Sequence, residues 1–308
     1  MSKTFKWAVL FASAALMTGL TACGSDDDGD EPDGPDTPTA TVGVRLYSVG
    51  GTSFSYDNQG RVDGYRSRYG EYASIDWENG EIESSDSEDG EPINFKTNGK
   101  GYFTEFSQSW NYKEDGDSYK GSGKMKFSYD KQGHLTKISV SMSESGKEDG
   151  ESYKYEETSE IEYTWKDGNL VKGVCETIEK EDGEKDVYKT TANVAYGLKE
   201  NLFNQYCQSL ASDVIEFDFK DFALVGLLGV GPAQFPTVIE TEEDDNGYNS
   251  SSTNNISISV NQVGLIETES SSHGYYVYSY ENVPTSSKVA AKKVKKRPGS
   301  MFRMRKSK

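Results

Sequence analysis

The stretch Phe127-Ser-Tyr-Asp-Lys-Gln-Gly-His-Leu-Thr-Lys-Ile138 constrains the fold more than any other, because its pattern recurs along the chain. Met125, Phe127 and Tyr129 alternate with Lys124, Lys126 and Ser128. A period of two is that of a strand with one buried face. Asp130 to Gly133 supplies a turn, and Gly133 can take the positive φ that a side chain resists. Ile138, Val140 and Met142 then resume the alternation. The unit is a β-hairpin.

Two kinds of turn punctuate the chain from Val42 to about Ala195. Tight turns read at Asp57-Asn-Gln-Gly60, Glu78-Asn-Gly80, Thr97-Asn-Gly99, Asp130-Lys-Gln-Gly133 and Lys166-Asp-Gly168. Acidic turns read at Ser87-Glu-Asp-Gly90, Lys113-Glu-Asp-Gly116, Lys147-Glu-Asp-Gly150 and Lys180-Glu-Asp-Gly183, with Tyr69-Gly70 filling an early gap. The kinds alternate. In an up-and-down meander alternate turns share an end, so one pole should be acidic and the other tight. Apolar residues lean toward the tight pole: Ile161, Tyr163 and Trp165 precede Gly168, while Tyr155, Glu157 and Ser159 form a weaker row behind them. Near the acidic pole both strand faces read polar, which predicts solvated fingers. Apolar rows about three residues deep fall short of the roughly 25 Å band of a membrane-spanning barrel.

Lys199 to Gly229 breaks the period of two. Leu202, Phe203, Tyr206 and Leu210 fall at helical spacing, as do Phe219, Phe222, Ala223, Leu227 and Leu228, before Gly229 and Pro232. A sheet with one apolar face needs a cover. Alternation returns at Ile256, Ile258 and Val260 and at Tyr276, Tyr278 and Tyr280. The expected fold is all-β: a many-stranded antiparallel meander curled into a barrel-like sheet, with a helical segment near 199–229 covering its apolar face. Hydrophobic content of 34% predicts a modest core, carried by the 12% of aromatic residues.

The N-terminus predicts an address. Lys3 and Lys6 precede an apolar run from Trp7 to Leu20, the length of a signal peptide and short of the roughly 20 residues of a spanning helix. Leu20-Thr-Ala-Cys23 follows, then Ser25-Asp-Asp-Asp-Gly-Asp-Glu31 and Pro32, Pro35 and Pro38. The order resembles a bacterial lipobox, which implies cleavage before Cys23 and acylation of that residue. The acidic run resembles the export signal of Bacteroides-type lipoproteins, which implies outer-membrane anchoring on the exterior face; a periplasm-facing anchor is the alternative. The expected organisation is a signal peptide (1–22), an acidic Pro-containing tether (23–41), one β-rich domain (42–284) and a basic disordered tail (285–308). A net charge of −18 argues against nucleic acid, although Lys288 to Lys308 hold ten Lys and Arg and no acid.

Candidate chemistry is sparse. His134 and His273 sit at turns, and neither belongs to a nucleophile motif. Gly226 to Gly231 lacks the Lys-Ser/Thr of a phosphate loop, and no Cys/His metal cluster is present. No catalytic residue, metal site or cofactor is expected. Cys175 and Cys207 are placed so that a disulfide is compatible with the compartment, with two separate buried thiols favoured. Asp89, Asp115, Asp149 and Asp182 in the acidic turns offer oxygen ligands for Ca²⁺, but Lys113, Lys147 and Lys180 enter the same turns and favour solvation. Trp77, Trp110 and Trp165 are candidates for a ligand platform, at positions that equally suit core packing.

Phe54-Ser-Tyr-Asp-Asn-Gln-Gly-Arg61, Phe127 to His134 and Tyr163-Thr-Trp-Lys-Asp-Gly-Asn-Leu-Val-Lys172 resemble a domain-of-unknown-function family of Bacteroides-type lipoproteins with a porin-like fold. Leu228-Gly-Val-Gly-Pro232 and Tyr275 to Tyr280 are similar as well, so the likeness spans residues 43 to 284. It implies a curled antiparallel sheet and brings no activity. The expectation is a non-enzymatic, lipid-anchored surface protein that binds a glycan or a protein. A carboxylate-based glycan hydrolase and a structural envelope protein are the alternatives.

Overall fold

The computed structural model describes residues 44–67, 72–84, 92–114, 117–148, 151–215 and 220–282. The signal peptide, Cys23, the tether, the basic tail and Asp89, Asp115 and Asp149 lie outside these residues. The strands are β1 (Val44–Val49), β2 (Thr52–Tyr56), β3 (Val62–Arg66), β4 (Tyr72–Asp76), β5 (Glu81–Ser84), β6 (Ile93–Thr97), β7 (Phe103–Glu114), β8 (Asp117–Tyr129) and β9 (Leu135–Glu148). They continue as β10 (Glu151–Lys166), β11 (Asn169–Glu181), β12 (Glu184–Glu200), β13 (Gln234–Asp245), β14 (Tyr248–Asn255), β15 (Ser257–Val260), β16 (Ile266–Ser271) and β17 (Gly274–Asn282). Two short helices, α1 (Gln208–Val214) and α2 (Lys220–Leu224), interrupt them.

From β1 to β14 each strand pairs antiparallel with the next. The chain then changes partner without turning: Asn255 still pairs with β13, and Ser257 already pairs with β16. Ile256 N bridges the change with a bond to Thr237 O (2.8 Å). β17 returns to β1, with Asn282 opposite Val44. The 17 described strands thus form one nearly closed antiparallel ring.

The two-pole reading holds for the described turns. Four tight-pole turns are built alike. Asp57, Asn98, Asp130 and Asn261 each accept the amide four residues on (2.9, 3.1, 2.9 and 3.1 Å). The fourth position carries Gly60, Gly101, Gly133 or Gly264 at φ +80°, +82°, +95° and +95°. The expected turn at Thr97-Asn-Gly99 is therefore displaced: Asn98 is its first residue and Gly101 takes the positive φ. Asp167-Gly168, Asp182-Gly183 and Asn246-Gly247 are two-residue hairpin loops with both φ angles positive.

The same pole is stitched by aromatic side chains. The Tyr56 hydroxyl donates to Leu46 O, Trp77 Nε1 to Val62 O (2.7 Å), and Tyr129 Oη to Phe103 O (2.7 Å). Trp165 Nε1 donates to Leu135 O (2.8 Å) and Tyr196 Oη to Leu170 O (2.9 Å). In each case the aromatic residue at the pole end of one strand reaches back to the start of the preceding strand. The recurring Tyr-Asp pattern therefore encodes a clasp followed by a turn.

The connection from Asn201 to Ala233 fills the ring. Leu210, Ala211, Leu227 and Leu228 are completely buried with Phe106, Ile138 and Ile239 of the wall. Its return crosses the tight pole, through Phe103 N to Leu227 O (3.0 Å), Val230 N to Gly133 O (2.9 Å) and Ala233 N to Gly168 O (2.9 Å). The expected helix is shorter than its periodicity suggested. Leu202 and Phe203 precede it, because Asn201 Oδ1 accepts Gln205 N (3.0 Å) and Asn204 takes φ +48°, which makes a turn. α1 begins at Gln208, where the buried Glu269 accepts Gln208 N and Ser209 N (both 2.7 Å) and the Tyr278 hydroxyl.

The apolar rows point inward. On β10 Ser159, Ile161 and Tyr163 are buried, while Glu160, Glu162 and Thr164 are exposed. A barrel wall in lipid needs the opposite polarity. Cys175 and Cys207 are both buried, and they are not joined in a disulfide. Removing the Glu269 carboxylate orphans the buried Ser209 amide, takes away the Tyr278 hydroxyl's acceptor and leaves Gln208 N only the Tyr278 oxygen (2.9 Å), so Glu269→Ala should destabilise the fold by about 3 kcal/mol. Tyr129→Phe, which loses one clasp, should cost about 1 kcal/mol. Chemical denaturation of the two variants checks the order; an equal cost would mean that Glu269 does not hold the connection in place.

Candidate functional site

The wall is uneven in height. β7 to β13 run 12 to 17 residues, whereas β1 to β6 run 4 to 6. The long hairpins stand above the rest of the ring, and their inner face opens there. Strand register fixes what this face carries. Low on the wall, Phe127, Ile138, Ile161 and Cys175 form one apolar row. Higher up, the row is Gln108, Gly123, Met142, Glu157, Glu179 and Asp186. Above it lie Trp110, Gly121, Glu144, Tyr155 and Glu181, and then Tyr112, Tyr119, Gly146 and Tyr153.

Aromatic rings and carboxylates organise one another here. Gly121 leaves room for the Trp110 ring, which any Cβ at 121 would strike. Trp110 Nε1 donates to Glu144 Oε2 and Tyr153 Oη to Glu144 Oε1, both at 2.7 Å. Tyr112 and Tyr119 stack with centroids 4.7 Å apart. Trp110, Tyr112, Tyr119, Tyr153 and Glu144 all remain partly exposed. The expectation of solvated fingers polar on both faces is corrected for this inner face: bulky rings opposite glycines continue the buried side upward, and Tyr155 is only 5% exposed.

Glu157 and Glu179 are direct cross-strand partners, so their Cβ atoms lie about 5 Å apart. Tyr155 Oη (3.1 Å) and Ser159 Oγ (3.3 Å) donate to Glu157. Burial raises the Glu157 carboxyl above the usual range, against those two bonds. Burial also raises Glu179, with further contributions from the facing charges of Glu157, Asp186 and Glu181. The pair is therefore a place where one carboxyl readily holds a proton.

The structure does not bring the three candidate tryptophans together. Trp77 packs edge-on to Phe95 (5.2 Å) and parallel to Phe103 (6.3 Å), with the Arg61 guanidinium 5.1 Å from its ring. Trp165 stacks on His134 at 4.2 Å. Both are clasps of the tight pole, and Trp110 alone of the three stands on the upper wall. Asp182 Oδ1 accepts Lys154 N (2.7 Å), which ties a hairpin tip to the neighbouring strand. Among the described residues no group of His, Cys, Asp and Glu is arranged to hold a metal ion. Glu144, Tyr153 and Glu179 went unread as site residues. The Gly121-x-Gly123 pair facing Trp110 across its hairpin was the available signal.

No family model matches the chain, and no curated protein matches it. Among solved structures it is similar to a porin-like protein from Bacteroides vulgatus ATCC 8482, with a TM-score of 0.46 and 15% identity over 79% of this chain and 97% of that one. A porin-like protein from Bacteroides uniformis ATCC 8492 is similar at a TM-score of 0.43 and 15% identity, over 80% and 99%.

The raised carboxyls make a pH prediction. A folded-state pKa above the unfolded value gives stability that is complete below the ordinary glutamate range and is lost as pH rises through the raised value. Glu157→Gln removes that loss. The variant should therefore be more stable than the parent at neutral pH, with the difference closing in mild acid, as read by denaturant midpoints at both pH values. A variant equally destabilised at both would contradict the role of burial.

Proposed function

We propose that this is a non-enzymatic, outer-membrane-anchored lipoprotein whose upper wall recognises a glycan. The observation that carries the reading is the inner face of the long hairpins, where Trp110, Tyr112, Tyr119 and Tyr153 stay partly exposed around the ordered Glu144. Aromatic faces cover the apolar faces of sugars, and a fixed carboxylate accepts their hydroxyl hydrogen bonds. A short facing rim gives a long polymer room to enter from above. Acylation at Cys23 supplies the anchor; several acyl chains hold a protein stably, at roughly 0.8 kcal/mol per buried CH₂.

The facing Glu157 and Glu179 favour a second reading, a glycan hydrolase that works through a pair of carboxyl groups. The two readings part on one variant: Glu157→Gln should preserve glycan retention in the first and abolish turnover in the second.

A glycan array probed with the soluble chain tests the first reading. Trp110→Ala should weaken the retained glycan at least tenfold, about 1.4 kcal/mol, while Trp165→Phe at the opposite pole leaves it unchanged. Equal losses in both variants would sink the assignment of the wall.

A further inference from the structure

We propose that the upper edge of β14 is a docking edge for an extended peptide segment rich in Lys or Arg, which adds to the sheet as one more strand. The inference stands apart from the glycan reading and uses a different surface.

The ring leaves this edge open. β13 and β14 stay paired from Val238 and Asn255 up to Asp245 and Tyr248. On the other side of β14 the neighbouring hairpin is short. β16 ends at Ser271, and Ser272 N and Oγ donate to Asn254 Oδ1 (2.9 and 2.8 Å). Asn254 Nδ2 donates to Asp213 Oδ2 (2.7 Å), and His273 Nε2 lies 2.8 Å from Asp213 Oδ1. The hairpin tip, α1 and β14 are pinned together at that level. Above it, from Tyr248 to Thr253, no strand of the described residues pairs with β14 on this side.

Register tells which backbone groups face the opening. Asn246 and Gly247 form a two-residue loop, so Asp245 and Tyr248 are a hydrogen-bonded pair. By alternation Tyr248, Ser250 and Ser252 bond to β13, while Asn249, Ser251 and Thr253 aim their N–H and C=O groups at the opening. Proteins blunt such edges with charge, proline or a bulge. This one has none of the three. Tyr248-Asn-Ser-Ser-Ser-Thr253 is uncharged and free of Pro, its register with β13 is unbroken, and all its residues are exposed.

Charge identifies the occupant. β13 carries Glu240, Glu242 and Asp244 on its outer face and Glu243 and Asp245 on the inner face that holds Ile239, and it has no cation. On the adjoining end of β12, Lys185 and Lys189 accompany Glu184 and Asp186, and Lys189 stands opposite Asp244. Across the opening Glu269 is taken up by α1, and Glu267 is a further acid. Carboxylates therefore prevail on every described strand around the edge. A strand added to β14 would lie about 10 Å from β13, two strand spacings, where long cationic side chains on either face meet these acids. Backbone bonds would hold the segment and charge would select it. A second copy of this chain presenting the same edge would bring a second acidic β13 with it, so charge favours the basic peptide.

The test adds a short peptide of alternating Lys and Thr to the whole folded chain and reads amide exchange residue by residue. Asn249, Ser251 and Thr253 should exchange fast in the free chain and slowly with the peptide. The same sequence N-methylated throughout keeps its charge but cannot complete the ladder, and a Glu-Thr peptide reverses the charge. Both should bind roughly tenfold or more weakly. Ser251→Pro removes an N–H that faces the opening and no bond to β13, so the variant should keep the parent's stability and lose the peptide to a similar degree. Unchanged exchange at the three amides, equal binding of either control peptide, or full binding by Ser251→Pro would each overturn the proposal. Should that variant not fold, exchange in the parent decides alone. A chain that dimerises with protection of the same three amides would assign the edge to a second copy and overturn the peptide as its occupant.

Discussion

A ring of 17 strands encloses more space than its own side chains can fill, and that constraint governs the rest of the structure. About eight strands is the size at which wall side chains alone pack the interior. A wider ring must hold water or be filled by another part of the chain. Here the connection between β12 and β13 fills it, with Leu210, Leu227 and Leu228 wholly removed from solvent. The inward apolar rows depend on that filling, and so does the polar outer face. Glu269 matters because it caps the start of the connection's first helix, so that its leading amides are not left unpaired inside the core.

The two poles follow from one meander but carry different physics. At the tight pole, Asp or Asn side chains close the turns and aromatic clasps lock adjacent strands. The returning connection adds backbone bonds to three of these turns or their flanks. This end is over-determined. At the far end the strands outrun the connection, and ordering there comes from contacts between strands such as Trp110 against Gly121 and Trp110 with Glu144. A rigid base with an exposed, locally ordered wall is a suitable arrangement for recognition.

Much of this architecture was legible in the sequence, since turn chemistry is local. Asp130 and Gly133 carry their own turn, and alternation around Phe127 and Ile161 reveals which face is buried. The plug was legible as an apolar interruption but not in its bounds, because Leu202 and Phe203 share helical spacing while Asn201 and Asn204 impose a turn. The turn at Asn261 escaped notice for lack of an Asn-Gly or Asp-Gly pair. The site was hidden for a different reason. Trp110 and Glu144 meet only after two hairpins are folded in register, and a shift of one residue in either would send one of them to the outer face. Abundant carboxylates gave no ground for preferring Glu157 and Glu179 until their strands were paired.

The most direct measurement is hydrogen exchange of the folded chain, resolved by peptide. If the connection is the filling on which the ring depends, amides from Leu227 to Ala233 should exchange as slowly as those around Ile138, Ile161 and Ile239, and the upper halves of the long hairpins should exchange first. Rapid exchange of Leu227 to Ala233 while the wall stays protected would contradict it, because the ring would then stand without its filling.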